Sequence, residues 1–316
     1  MNSDWFNPPR VFAGLQTGVA EARILVLPVP YDSTTSYKTG TREGPAAIID
    51  ASLNLELFDY ELRRETAEVG IHTLPEVAPV MAGPQAMVER LTDICRNVIA
   101  GRFPLPLEED QGQGRDLWPP PAVEGPTNKV LVTLGGEHLL SVAPAWAYAD
   151  RYPDLHVLQF DAHADLREEY AESRYNHACT ARRILERAPV VQVGVRSISK
   201  EEWDFLQTGP PVTTFWAEQL PLSEDSLEAL VDALGPHVYV TFDLDAFDPG
   251  VVPGVGTPEP GGLTWAEGIR ILRRVTRDRR VVGFDLMEYC PAEGNTAGAF
   301  TAAKLAYKLM GYCTEE

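Results

Sequence analysis

Leu155-His156-Val157-Leu158-Gln159-Phe160-Asp161-Ala162-His163-Ala164-Asp165 is the stretch on which the reading of this chain turns. Its first part, Leu155 to Leu158, is a mostly apolar run with the character of a buried strand. If the backbone stays extended past that strand, residues two apart point the same way. Asp161, His163 and Asp165 then share one face, whereas a helix would splay them apart. Two carboxylates flanking an imidazole at a strand end are costly unless a cation holds them. Two further apolar runs end in the same kind of chemistry. Val238 to Phe242 leads into Asp243-Leu244-Asp245, and Val130 to Leu134 leads into Gly135-Gly136-Glu137-His138. Three strand ends offering carboxylate and imidazole together read as a metal site.

Around these ends, strands are expected at 24–29, 129–134, 155–160, 190–195, 238–243 and 281–286. Helices are expected at about 84–100, 139–151, 177–187, 200–207, 223–234, 264–276 and 296–310. From Lys129 onward the two alternate, which argues for a mostly parallel sheet covered on both faces, within one large α/β domain spanning residues 1–316. In such a sheet the strand C-termini lie along one edge, where ligands bind. Residues far apart in sequence therefore converge there. Four clustered aspartates repel one another strongly, and two divalent cations would cancel their charge. Oxygen-rich ligation with two imidazoles suits Mn(II) better than a thiolate zinc site. Taken singly, the residues have plainer readings: His138 as a helix-start residue, Asp161 or Asp243 as a helix cap. Asp248, before Pro249, reads as a turn residue and is left outside the site.

The rest of the chain narrows the options. A net charge of −19 disfavours nucleic acid or an anionic membrane as partner. No apolar run is long enough to span a bilayer, and the N-terminus lacks a secretory pattern. The four cysteines, Cys95, Cys179, Cys290 and Cys313, have no paired spacing and read as reduced thiols in a cytoplasm. Residues 1–23 are expected to be irregular and on the surface, and Pro28 suggests that the first strand is an edge or ends there. The polar loop from Pro30 to Pro45 either lines the ligand crevice or is a solvent loop, with Pro45 opening a helix. Residues 101–128 are Pro- and Gly-rich and read as a long loop.

The motifs Gly135-Gly136-Glu137-His138, Phe160-Asp161-Ala162-His163-Ala164-Asp165 and Phe242-Asp243-Leu244-Asp245-Ala246-Phe247-Asp248-Pro249 together resemble the signatures of the ureohydrolases. That family includes arginase, agmatinase and relatives that hydrolyse guanidino compounds to urea and an amine. The resemblance runs from about Pro30 to the C-terminal helix. It implies an arginase-like three-layer α/β/α fold, two Mn(II) ions per subunit, and a homo-oligomer, trimer or hexamer. Carried over by position, His138, Asp161, Asp165 and Asp243 would hold one ion. His163, Asp161, Asp243 and Asp245 would hold the other, with Asp161 and Asp243 bridging.

The same resemblance assigns the catalytic roles. A guanidinium carbon is a poor electrophile, so the attacking water must be acidified by metal. Glu288, past the last strand, matches the family's guanidinium-binding glutamate, a bidentate role. Asp165 is the implied proton donor to the leaving amine, and His177 the implied proton shuttle. A helix-start role is the plainer reading of His177, and His72, His156 and His237 read as structural. Residues 40–46 and 254–262 resemble agmatinases more closely than arginases, so a small cationic guanidino substrate, agmatine, is expected. Glu168 and Glu169 would favour its second cation, while Arg167 would suit a guanidino acid such as guanidinobutyrate or guanidinopropionate. Three other classes compete: a zinc deacetylase of related fold, which needs neither His138, Asp245 nor Glu288; a cysteine hydrolase built on Cys179 and His177; and a non-catalytic metal protein.

Overall fold

A computed structural model describes residues 10–15, 17–102, 128–291 and 296–315. Among these residues the strands are β1 (Ile24–Val29), β2 (Phe58–Asp59), β3 (Arg64–Glu65), β4 (Ile71–Thr73) and β5 (Val130–Gly135), followed by β6 (Leu155–Phe160), β7 (Val190–Val193), β8 (Val212–Phe215), β9 (His237–Asp243) and β10 (Arg280–Met287). The helices are α1 (Gly44–Ser52), α2 (Pro84–Ile99), α3 (Val142–Arg151), α4 (Thr180–Ile184), α5 (Lys200–Gln207), α6 (Glu224–Asp232), α7 (Trp265–Asp278) and α8 (Ala297–Cys313).

Eight strands form one sheet in the order β4-β1-β5-β10-β9-β6-β7-β8, and every neighbouring pair is parallel. β2 and β3 form a separate antiparallel hairpin. Alternate residues of a strand face opposite layers. Val132, Val240 and Phe284 pack on one side with Ile48 of α1, Leu230 of α6, Leu272 of α7 and Leu305 of α8. Leu131, Val157 and Tyr239 pack on the other side with Leu91 of α2, Ala143 of α3 and Ile184 of α4. The result is the expected α/β/α sandwich around a mostly parallel sheet. Its helix starts carry the expected chemistry: prolines open α1 and α2, and Ser199 with Glu202 and Thr264 with Glu267 form capping boxes on α5 and α7. Each such cap contributes about 1 kcal/mol.

The fold corrects the sequence reading in several places. β1 is an interior strand, paired with β5 over its whole length, despite Pro28. Its pairing to β4 stops at Val26↔Thr73, and the Pro28 carbonyl then accepts the Val77 N–H at 3.0 Å. The missing proline N–H faces the side where β4 has already ended, so no ladder bond is lost. Residues 1–23 are not all surface, because Phe12 and Ala22 are fully buried. β4 has only three residues and β8 is half threonine, so neither stands out as an apolar run. The expected helix 177–187 is a 3-10 turn (His177–Cys179) leading into α4, and 139–151 likewise begins as a 3-10 turn (His138–Ser141) before α3. Residues 1–9 of the N-terminal segment and 103–127 of the Pro- and Gly-rich loop lie outside the described residues.

Candidate active site

Four consecutive strands, β5, β10, β9 and β6, deliver the site from their C-terminal ends. β5 runs into His138, β10 into Glu288, β9 into Asp243 and Asp245, and β6 into Asp161, His163 and Asp165. Around the His138 imidazole, Nδ1 lies 3.0 Å from Asp161 Oδ2, 3.0 Å from Asp165 Oδ2 and 3.3 Å from Asp243 Oδ2. The His163 Nδ1 lies 3.6 Å from Asp161 Oδ1 and 3.0 Å from Asp245 Oδ2. The six candidate ligands therefore meet. Two compact donor groups result, His138–Asp161–Asp243 and Asp161–His163–Asp245, and Asp161 belongs to both. Asp243 stands in the first group, and its Oδ1 accepts the Asp245 N–H at 2.9 Å. Asp165 and Glu288 reach their places with left-handed backbones, φ 51° and φ 64°. For a non-glycine residue such a conformation costs about 1–3 kcal/mol, and here it aims two carboxylates.

The electrostatics of this cluster are unbalanced. Burial pushes the Asp165 carboxyl up to about 7, helped by the charge of Asp161. Burial, with Asp245 and Asp161, raises Asp243 well above the usual carboxylate range. Burial alone would lower the His163 imidazole, yet Asp245 and Asp161 overcome it and push it up to about 12. His138 behaves the same way, raised against burial by Asp161, Asp165 and Asp243. Clustered carboxylates that cannot all ionise, and imidazoles that gain protons beside them, mark a place with excess negative charge. The donor set thus fits divalent cations: oxygen and imidazole ligands in two groups, with one carboxylate oxygen offered to each.

A cavity of about 210 Å³ opens onto the cluster, lined by His163, Asp165, Asp243 and His177 together with Ser36, Arg167 and Tyr170. His177 is placed at its wall. Its N–H is donated to Thr34 Oγ1 at 2.9 Å, and its Nε2 lies 3.2 Å from Ser36 Oγ. Burial pushes this imidazole down to about 4, with the charges of His163 and His138 acting in the same direction. Glu288 is not among the lining residues. It is buried, its Oε1 accepts the His138 N–H at 2.7 Å, and burial pushes its carboxyl up to about 8. Gly256 leaves room for it, since a Cβ there would stand 2.9 Å from Glu288 Oε2.

Several expectations change here. Glu168 does not line the cavity but is held by Arg174, Arg182 and Arg183, and Glu169 is exposed and equally absent from the lining. Arg167 does line it, stacked over the Tyr170 ring at 4.8 Å. The Cys179 thiol is buried, pushed up to about 12 by that burial, and its sulfur lies 3.9 Å from the Ser173 carbonyl. It is not an activated nucleophile. Asp248 is the turn residue expected, accepting the N–H groups of Gly250 and Gly261. Glu137 is a residue the sequence reading passed over. Its buried Oε2 accepts the N–H groups of Ser33 at 2.8 Å and Thr34 at 2.6 Å, pinning the loop that holds His177. Gly136 serves the same loop, since a Cβ there would meet the Tyr31 carbonyl at 2.0 Å.

Comparison with known proteins agrees with this geometry. The arginase family model matches residues 22–311. The N(1)-aminopropylagmatine ureohydrolase of Synechocystis sp. is 38% identical over 95% of this chain and 92% of its own. The agmatinase of Pyrococcus horikoshii is 35% identical over 93% of each. Among solved structures, the agmatine ureohydrolase of Thermoplasma volcanium superposes with a TM-score of 0.80 at 26% identity, covering 98% of this chain and 96% of that one. This chain belongs to the arginase family and is a hydrolase of amidino C–N bonds.

Proposed function

We propose that the chain hydrolyses agmatine to putrescine and urea, using two Mn(II) ions per subunit. The observation that carries this reading is Asp161, whose two carboxylate oxygens face two separate donor groups, one with His138 and one with His163. His138, Asp161, Asp165 and Asp243 would hold one ion, and Asp161, His163, Asp243 and Asp245 the other. Bound there, the ions supply an acidified water at neutral pH and offset the charge of the aspartates. Glu288, buried beside His138 behind the cavity wall, would offer its other oxygen, Oε2, to the guanidinium. Asp165, on the cavity wall, takes the proton released by the attacking water and passes it to the leaving amine. His177, on the cavity wall, would carry protons between the cavity and solvent. The resemblance extends to assembly as a homo-oligomer, which sedimentation would test.

A second substrate is favoured by the relatives. Proteins 35–38% identical to this chain are named for N(1)-aminopropylagmatine, a longer cationic guanidine. Arg167 on the cavity wall favours, by contrast, a guanidino acid. Urea release separates these readings when measured with agmatine, N(1)-aminopropylagmatine, arginine and guanidinobutyrate, first with manganese and then with chelator. Agmatine or its aminopropyl derivative is expected to turn over fastest, and chelation to abolish it. No urea from any of the four would remove the proposal.

A further inference from the structure

One row of the sheet departs from the apolar rule for strands covered on both faces. Thr214, Gln192, Gln159, Thr241, Asp285 and Thr133 are successive register partners across β8, β7, β6, β9, β10 and β5. Five of these side chains, all but Thr214, are fully buried. An unpaired polar group there would cost about 1–3 kcal/mol, so a row of them needs a reason.

The bonds run toward the site from two sides. Thr214 Oγ1 donates to Gln192 Oε1 at 3.1 Å, and Gln192 Nε2 to Gln159 Oε1 at 2.9 Å. Gln159 Nε2 then donates to Asp161 Oδ2 at 2.7 Å. Gln192 Nε2 also reaches the Ala164 carbonyl at 2.7 Å, just before Asp165. From the other side, the carboxylate of Asp285 accepts from Tyr239 Oη at 2.7 Å and from Thr241 Oγ1 at 2.9 Å. Thr241 Oγ1 stands 2.9 Å from both Asp285 Oδ1 and Ser141 Oγ; with its hydrogen given to the carboxylate, its oxygen is left to accept from Ser141 and from His138 Nε2, 3.0 Å away. That bond fixes Nε2 on the Thr241 side and leaves Nδ1 as the atom facing Asp161, Asp165 and Asp243, free to serve as a donor once a cation displaces any proton there. An amide arm holds one donor and a carboxylate–hydroxyl arm holds the other.

We propose that Asp285, acting through Thr241, and Gln192, acting through Gln159, are positioning residues that fix the donor atoms of His138 and Asp161 for a divalent cation. This rests on the reading of those residues as metal ligands. None of the row touches the cavity, so its effect falls first on metal affinity. Partners of this kind typically change affinity by about 10- to 100-fold.

The experiment is manganese titration of the full chain and of Thr241→Val, Thr241→Ser, Asp285→Asn and Gln159→Leu. Manganese binding to the valine, asparagine and leucine variants is expected to weaken by roughly 10- to 100-fold, while Thr241→Ser, which keeps the hydroxyl, stays within about threefold of the parent. If Asp285→Asn fails to fold, the valine and serine pair at Thr241 decides alone. Thr241→Val binding as tightly as the parent overturns the proposal, and so does Thr241→Ser binding as weakly as Thr241→Val, since the loss would then come from packing. A parent that binds no manganese sinks the metal reading itself, a result distinct from a parent that binds tightly beside unchanged variants.

Discussion

Two clusters of charge in this molecule differ in how their carboxylates are answered. Where the hairpin meets α8, Lys308 Nζ lies 3.0 Å from Asp59 Oδ2 and 2.6 Å from Glu61 Oε2. Tyr312 donates to Glu61 as well, and Arg273 Nε stands 3.2 Å from its other oxygen. Burial alone would raise these two carboxyls, yet Lys308 holds both below the usual range. At the sheet edge the balance is reversed: carboxylates face carboxylates, and Asp165, Asp243 and Glu288 are all raised. The first cluster carries its own counter-charge and serves stability. On the proposed reading the second keeps its negative excess for cations that come from outside, at some cost in stability.

The contrast predicts opposite responses to removing a charge. Asp243→Asn relieves crowding with Asp245 and Asp161, so the metal-free protein should resist urea better than the parent. Its turnover should nevertheless fall by roughly 10³-fold or more, the scale of several kcal/mol of lost transition-state stabilisation at about 1.4 kcal/mol per tenfold. Parent-like urea release by this variant would break the comparison.

Lys308→Met should do the reverse. Two carboxylates lose their counter-charge, at a cost of about 3 kcal/mol, the lower end for breaking a buried pair because Glu61 keeps some solvent contact. Denaturant midpoints would show the loss, while turnover per folded molecule and manganese content should not change. A fall in manganese content would mean that the two clusters are coupled.

The smallest effect is one of slope. Asp165 is raised to about 7 in the folded chain, while an unfolded carboxyl titrates near ~3.9. The folded state thus keeps a proton that the unfolded state has released, and the stability this gives is full below ~4 and lost as pH rises through about 7. Asp59 and Glu61, lowered in the fold, have the opposite sign: their contribution is present above ~4 and is lost as pH falls below it. Melting the chelated protein across this range should show both limbs, and manganese should flatten only the neutral one. A neutral limb that persists unchanged with manganese would place its source outside the cluster.

Much of this was legible in the chain. Asp161, His163 and Asp165, Asp243 and Asp245, and His138 stand at the ends of apolar runs, and all six meet in the fold. Glu168 misled because charge in sequence carries no record of its partners, and three arginines claim it here. Pro28 misled because its cost depends on where the neighbouring strand stops. Glu137 went unread because its partners, Ser33 and Thr34, are about a hundred residues away.

Local pattern was enough to name the atoms that could serve: extended backbone after a strand puts residues two apart on one face, whatever the rest of the chain does. Which oxygen of Asp161 faces which imidazole, and that four neighbouring strands in the order β5-β10-β9-β6 bring Glu288 beside His138, emerged from the packed fold. Strand order and hydrogen-bond partners arise from contacts between distant segments, and local pattern encodes chemistry without encoding who stands next to it.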